Sequence, residues 1–277
     1  MDLLILPGMT MNGTIFPSFD VSGRQLAVDF NDMVVGPRGE LPPHPSGPMG
    51  PYCDRLTEVL STSDIATGGR PWIAIGHSFG GMLLLAWLLA RGKGRGQESP
   101  RPDGMVLIAT TAGPMFDRVA LRLGRLGRRE VRVGIGPLLG WWNRPLVTRA
   151  TKWVLSGGTL RTRPVDFRHL SSRSDMAADL AGWRNTDWRA MRSYRLAMDG
   201  FDVRDELDRI PVPTVVLHGD RDTLFPVSAA ADLADGLPQG ELRIVPGAGH
   251  LLPLTCGDTV RQAVSDLDGA IDDQPVP

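Results

Sequence analysis

A mostly parallel β-sheet with helices on both faces is the fold class this sequence predicts, on three observations. Short apolar runs alternate with helical stretches, the order that parallel strands joined by crossover helices produce. One such run, Trp72-Ile73-Ala74-Ile75, passes through Gly76-His77-Ser78-Phe79-Gly80-Gly81 straight into an apolar helix. Finally, about 100 residues separate the strand ending at Ala109 from the one starting at Thr214, far more than a crossover needs.

The elements follow in order. Leu3 to Leu6 is the first strand and Arg24 to Phe30 the second. A loop rich in proline and glycine, Gly36 to Pro51, opens a helix running to about Leu60. Trp72 to Gly76 is the third strand, feeding a helix from about Phe79 to Arg91. After a polar loop, Gly104 to Ala109 is the next strand. Thr214 to His218 and Glu241 to Val245 are strands, Val227 to Leu237 and Asp258 to Ile271 helices. The intervening segment reads as several helices with breaks at Gly134 to Pro137, Gly157-Gly158 and Pro164. A core of residues 1–112 and 206–277, interrupted by a helical lid over 113–205, is therefore expected. An insertion there would lie over the carboxyl edge of the sheet, where α/β folds bind ligands.

Composition bounds the function. With 42% hydrophobic and 22% charged residues in a chain of 277, one α/β core with a sizeable insertion can be buried, and disorder is excluded. A net charge of −1 argues against a nucleic-acid binder. Cys53 and Cys256 stand in no metal-ligand or disulfide-framework spacing and read as free thiols. The apolar start at Met1 to Gly8 is too short and lacks the basic flank of a signal peptide. No stretch approaches the roughly 20 apolar residues of a membrane span, so a cytoplasmic protein is expected.

The strand-turn-helix around Ser78 is the arrangement of a nucleophile elbow, in which a strained turn holds a serine hydroxyl out at the sheet edge. Gly76 and Gly80 leave room for the neighbouring strand and helix. A serine needs a base. Of the five histidines, His250 follows the strand Glu241 to Val245 in a loop of small residues, Pro246-Gly247-Ala248-Gly249, that can carry an imidazole to Ser78. His218 closes a strand in a structural position, and His77, inside the elbow, should point into the core. His44 lies in the proline-rich loop and His169 in the insertion, with no sequence feature assigning a role to either. The base in turn needs a carboxylate. Asp222 lies 28 residues before His250, enough for one helix and one strand, but on spacing alone its neighbour Asp220 is a rival. The order serine, acid, histidine is that of one of the three common triad arrangements.

These segments, with His218-Gly219-Asp220-Arg221-Asp222 and Pro246 to His250, resemble the α/β-hydrolase superfamily over nearly the whole chain apart from the insertion. The resemblance implies the α/β-hydrolase fold and places the acid three residues after the glycine, at Asp222 rather than Asp220. It also makes Leu6-Pro7-Gly8-Met9-Thr10 the oxyanion loop, with Pro7 where the family usually has a histidine. The backbone amides of Met9 and Phe79 would then hold the oxyanion. Leu3 to Leu6 corresponds to the family's third strand.

A serine at the nucleophile position sets aside members that use a carboxylate nucleophile, and no cofactor or metal motif is present. The expected activity is hydrolysis of an ester or thioester. A cyclase or lyase on the same fold, or a ligand-binding receptor, is the alternative. Five of the seven tryptophans (Trp141, Trp142, Trp153, Trp183 and Trp188) fall in the insertion and point to a hydrophobic acyl or ring-bearing substrate. Between Pro114 and Gly200 stand 16 arginines and one lysine against seven acidic residues, including Arg122, Arg125, Arg128 and Arg129. Such a surface suits an acidic carrier protein or coenzyme A thioester as partner, beside the plainer reading that it pairs with the acidic remainder of the chain.

Overall fold

A computed structural model describes residues 1–30, 36–91, 101–114, 120–126, 129–134, 144–146, 185–222 and 224–272. Among them are eight strands: β1 (Asp2–Leu6), β2 (Gln25–Ala27), β3 (Trp72–His77), β4 (Gly104–Ile108), β5 (Ala120–Leu126), β6 (Arg129–Gly134), β7 (Thr214–Gly219) and β8 (Gly240–Val245). The α-helices are α1 (Gly50–Thr62), α2 (Phe79–Arg91), α3 (Trp188–Asp199), α4 (Val227–Gly236), α5 (Leu252–Thr255) and α6 (Gly257–Asp272). Six strands pair in the order β2-β1-β3-β4-β7-β8, every pair parallel. The predicted α/β class is the observed one. The second strand is shorter than expected, although the Val28 amide still donates to the Ile5 carbonyl at 2.9 Å, one residue beyond the strand.

The period of two along each strand sends alternate side chains to opposite faces. Leu4, Leu6, Ala74, Leu107 and Val216 pack under α1, α2, α3 and α4 on one side. Leu3, Ile5, Ile73, Ile75, Val106, Ile108, Val215 and Leu217 pack on the other against Val260, Ala263, Val264 and Leu267 of α6. Both faces are thus covered, which is why the central strands read as unbroken apolar runs. Because every strand runs the same way, β1, β3, β4, β7 and β8 all end on one edge. There the loops following them converge, and with them the residues singled out in sequence.

The insertion departs from the all-helical expectation. Strands β5 and β6 pair antiparallel, with a register shift between Arg122 and Gly124. The physical reason is legible afterwards: Leu121-Arg122-Leu123 and Val131-Arg132-Val133 alternate with period two, and the valines are β-branched. Helix α3 lies within the expected lid. It begins at an Asp187 cap whose carboxylate accepts from the Arg189 amide at 2.7 Å.

Candidate active site

Ser78 occupies the single residue between β3 and α2, with φ at +51°. That left-handed conformation costs a non-glycine residue roughly 1–2 kcal/mol, so the surroundings must hold it. They do so from several directions. The Ser78 amide donates to the Ile108 carbonyl of β4 at 2.9 Å. Its carbonyl accepts from the Thr110 hydroxyl at 2.7 Å and from the amides of Gly81 and Met82 at 3.0 and 3.2 Å. The expected need for glycine on either side is visible as distance. A Cβ on Gly76 would lie 2.7 Å from the Gly81 Cα, and one on Gly80 only 2.1 Å from the Leu6 carbonyl oxygen. Gly80 therefore lets the loop after β1 settle on the first turn of α2. The amides of Phe79 and Gly80, the first two residues of α2, have no intrahelical acceptor.

His250 reaches Ser78 from the loop after β8, its Nε2 3.0 Å from Ser78 Oγ. Its Nδ1 lies 2.9 Å from Asp222 Oδ2. An ionised carboxylate can only accept, so Nδ1 carries the proton and the lone pair of Nε2 faces the serine hydroxyl. The other Asp222 oxygen accepts from the amides of Leu224 and Phe225 at 2.8 and 3.0 Å. The Asp222 side chain is fully buried. Burial alone would raise its pKa, but attraction to His250, hydrogen bonds from His250 and the Phe225 amide, and nearby His218 outweigh it. The carboxyl is held below its ordinary value. Asp220 goes elsewhere: it is exposed, and its Oδ1 accepts the Gly247 amide at 2.7 Å, tying the loop after β7 to the loop after β8.

The remaining histidines sort by environment. His218 is buried, donates from Nε2 to the Phe225 carbonyl at 3.0 Å and lies 3.7 Å from Asp222 Oδ2. Burial holds its pKa down, against the pull of Asp222. It thus supports the loop carrying Asp222, in keeping with a structural position. His77 is buried as expected, but it also makes a bond to the His250 backbone that no sequence pattern announces, 2.9 Å from Nε2 to the carbonyl. His44 pairs with Asp54 at 3.0 Å, and His169 lies outside the described residues.

On the opposite flank of Ser78 the Phe79 ring is enclosed. It meets Tyr52 of α1 edge-on at 5.0 Å and Tyr194 of α3 at 4.7 Å, while the two tyrosines stack at 5.4 Å. The Tyr52 hydroxyl and Ser193 Oγ share a buried hydrogen bond of 2.8 Å. The last helix of the insertion thereby packs against the residue next to the serine. Met9 is half-buried in the loop that Gly80 admits. Among the described residues no group of three or more histidine, cysteine or acidic side chains is placed to hold a metal ion, and no helix is long and apolar enough to cross a membrane.

A parallel sheet of this order, with a strained serine at the end of the central strand β3 and an acid and a histidine on the loops after β7 and β8, defines an α/β-fold hydrolase. The chain belongs to the Alpha/beta hydrolase family, whose sequence profile it matches over residues 3–263. It is similar to a Synechocystis sp. protein provisionally named a non-heme chloroperoxidase, 43% identical over 60 residues, 21% of this chain and 22% of that protein. An AB hydrolase superfamily protein, YisY of Bacillus subtilis, is 40% identical over 55 residues, 20% of each chain. These matches thus take in only about a fifth of those relatives' length. Among solved structures, a hydrolase from Oleispira antarctica superposes with a TM-score of 0.67 at 15% identity, covering 99% of this chain and 91% of that one. An esterase, RhEst1 from Rhodococcus sp., gives a TM-score of 0.62 at 18% identity over 99% and 91%.

Proposed function

We propose that this chain is a serine hydrolase that cleaves an ester or thioester of a hydrophobic acyl or ring-bearing substrate through an acyl-serine intermediate. One observation carries the reading: a strained, half-buried serine whose hydroxyl faces a histidine at 3.0 Å, itself held by a buried carboxylate at 2.9 Å. Ser78 Oγ attacks the substrate carbonyl while its proton passes to His250 Nε2, and Asp222 stabilises the imidazolium that forms. The amides of Met9 and Phe79 donate hydrogen bonds to the oxyanion, a reading supported by the close approach of the Leu6-Pro7 backbone to Gly80. His250 returns the proton to the departing alkoxide or thiolate. A water, deprotonated by the same imidazole, then releases the acid and restores Ser78.

The cap reading for 113–205 and its tryptophans supplies the apolar character of the substrate. Trp188 opens α3, and Trp141, Trp142, Trp153 and Trp183 lie outside the described residues. A carrier-bound or coenzyme A thioester is the finer proposal. It rests on the excess of arginines between Pro114 and Gly200, with Arg122, Arg125 and Arg129 on β5 and β6 and Arg128 outside the described residues.

The test is a panel of p-nitrophenyl esters and acyl thioesters of graded length, followed by acid quenching and mass analysis of the Ser78 peptide. A burst of product with the acyl mass on Ser78 is the expected result. Turnover with no adduct at any quench time, retained in Ser78→Ala, would exclude the acyl-serine. Charge screening sets in beyond about 8 Å at physiological salt, so a carrier-bound or coenzyme A substrate should lose kcat/KM steeply with salt. Equal salt responses for charged and neutral substrates would remove the partner.

A further inference from the structure

His77 precedes Ser78 and has no role in the proton relay, yet its ring lies against the loop that carries His250 and the loop that carries Gly8 and Met9. Nε2 lies 2.9 Å from the His250 carbonyl oxygen. On the other edge, a Cβ built on Gly8 would come within 2.9 Å of Nδ1, so the loop after β1 presses directly on this ring. The ring centroids of His77 and His250 are 5.1 Å apart. A carbonyl can only accept, so Nε2 carries the proton and Nδ1 a bare lone pair, which has no partner among the described residues. Leaving a lone pair unpaired in the core wastes one interaction, whereas breaking the Nε2 bond would strand both a buried N–H and the His250 carbonyl.

We propose that His77 is a positioning residue for the reaction: as a donor to the His250 carbonyl it fixes the distance from the base to Ser78 and to the Gly8-Met9 loop. Burial pushes its pKa down to about 3, and the approach of His250 works in the same direction. At working pH the ring therefore bears no charge that would oppose the imidazolium of His250. A lysine or arginine in its place would bear one. This deepens the acyl-serine reading and rests on it.

The experiment compares His77→Met, which fills the volume without a donor, with His77→Gln, whose side-chain amide can reach the same carbonyl. In the Met enzyme kcat should fall about 10- to 100-fold, the scale of a base misplaced by an ångström, while KM stays within threefold. The Gln enzyme should recover most of that loss. A role in folding alone would lower the melting temperature of both without separating their kcat values. A folded Met enzyme with wild-type kcat overturns the inference, as does a Gln enzyme no faster than the Met one. Should the Met enzyme not fold, the wild-type protein decides through 15N-histidine NMR. His77 should be neutral and protonated at Nε2 from pH 5 to 9, with that proton protected from exchange and shifted when a fluorophosphonate modifies Ser78. An Nδ1-protonated or titrating His77 overturns it. Failure of the fluorophosphonate to label wild type would instead sink the acyl-serine reading itself, so the two failures are distinct.

Discussion

The elbow after β3 and the loops after β7 and β8 deliver the same kind of precision by different means. At the elbow the backbone itself does it: Ser78 sits at φ +51° because strand and helix leave one residue between them, and Gly76 and Gly80 remove the side chains that would collide. The loops carrying Asp222 and His250 are held by side chains reaching across. His218 holds the Phe225 carbonyl, Asp220 the Gly247 amide and His77 the His250 carbonyl. The elbow should therefore fail when a small residue grows, the loops when a donor or acceptor is removed.

The largest effect tests what both regions deliver together. Ser78→Ala and His250→Ala should each lower kcat by about six orders of magnitude, and Asp222→Asn by about four, with the fold intact by circular dichroism. Asp220→Asn should stay within tenfold of wild type, because the backbone tether to Gly247 is what it holds. An inactive Asp220→Asn beside an active Asp222→Asn would reverse the assignment of the acid.

Next in size is the steric half of the comparison. Gly80→Ala places a methyl 2.1 Å from the Leu6 oxygen, a backbone atom that cannot move aside alone. It should cost about 3 kcal/mol or more, read as a fall in the denaturant midpoint. A Gly80→Ala protein as stable as wild type would show that the elbow tolerates what the packing forbids.

The electrostatic half predicts a smaller, pH-dependent effect. Folded protein keeps His77 neutral down to about 3, whereas the unfolded chain takes up a proton near the ordinary 6.5. Between those values the unfolded state binds more protons, so the stability is complete above 6.5 and is lost as pH falls toward 3. His218 and Asp222, also shifted downward, act in the same direction. For His77 the loss from pH 7 to 5 is about 2 kcal/mol. His77→Gln should therefore lose less stability than wild type over that interval in paired denaturant titrations. Parallel losses would mean that His77 is protonated in the folded state.

The same contrast explains what the sequence discloses. An elbow is local, so an apolar strand, a glycine pattern and an apolar helix announce it within 20 residues, and the two-faced strands announce the parallel sheet. Asp222 was separable from Asp220 only through family resemblance, since both follow β7 at usable spacing. Tethers are not local: His77 and the carbonyl it holds are 173 residues apart, and nothing about His77 in isolation distinguishes a core histidine from a clamp. Thr110, whose hydroxyl secures the Ser78 carbonyl from 32 residues away, is hidden for the same reason. In the insertion the period-two runs around Arg122 and Arg132 were present, but frequent glycines and a high arginine content masked them beneath a helical reading.

The most direct test of the account is the rate at which a fluorophosphonate labels the protein, followed by intact mass. Wild type should gain one adduct, mapped to Ser78, at a rate that Asp220→Asn preserves and that Asp222→Asn and His250→Ala each reduce by at least a hundredfold. Labelling that is equally fast in all four proteins, or that falls on another residue, would contradict the claim that the hydrogen-bonded chain from Asp222 through His250 makes Ser78 a nucleophile.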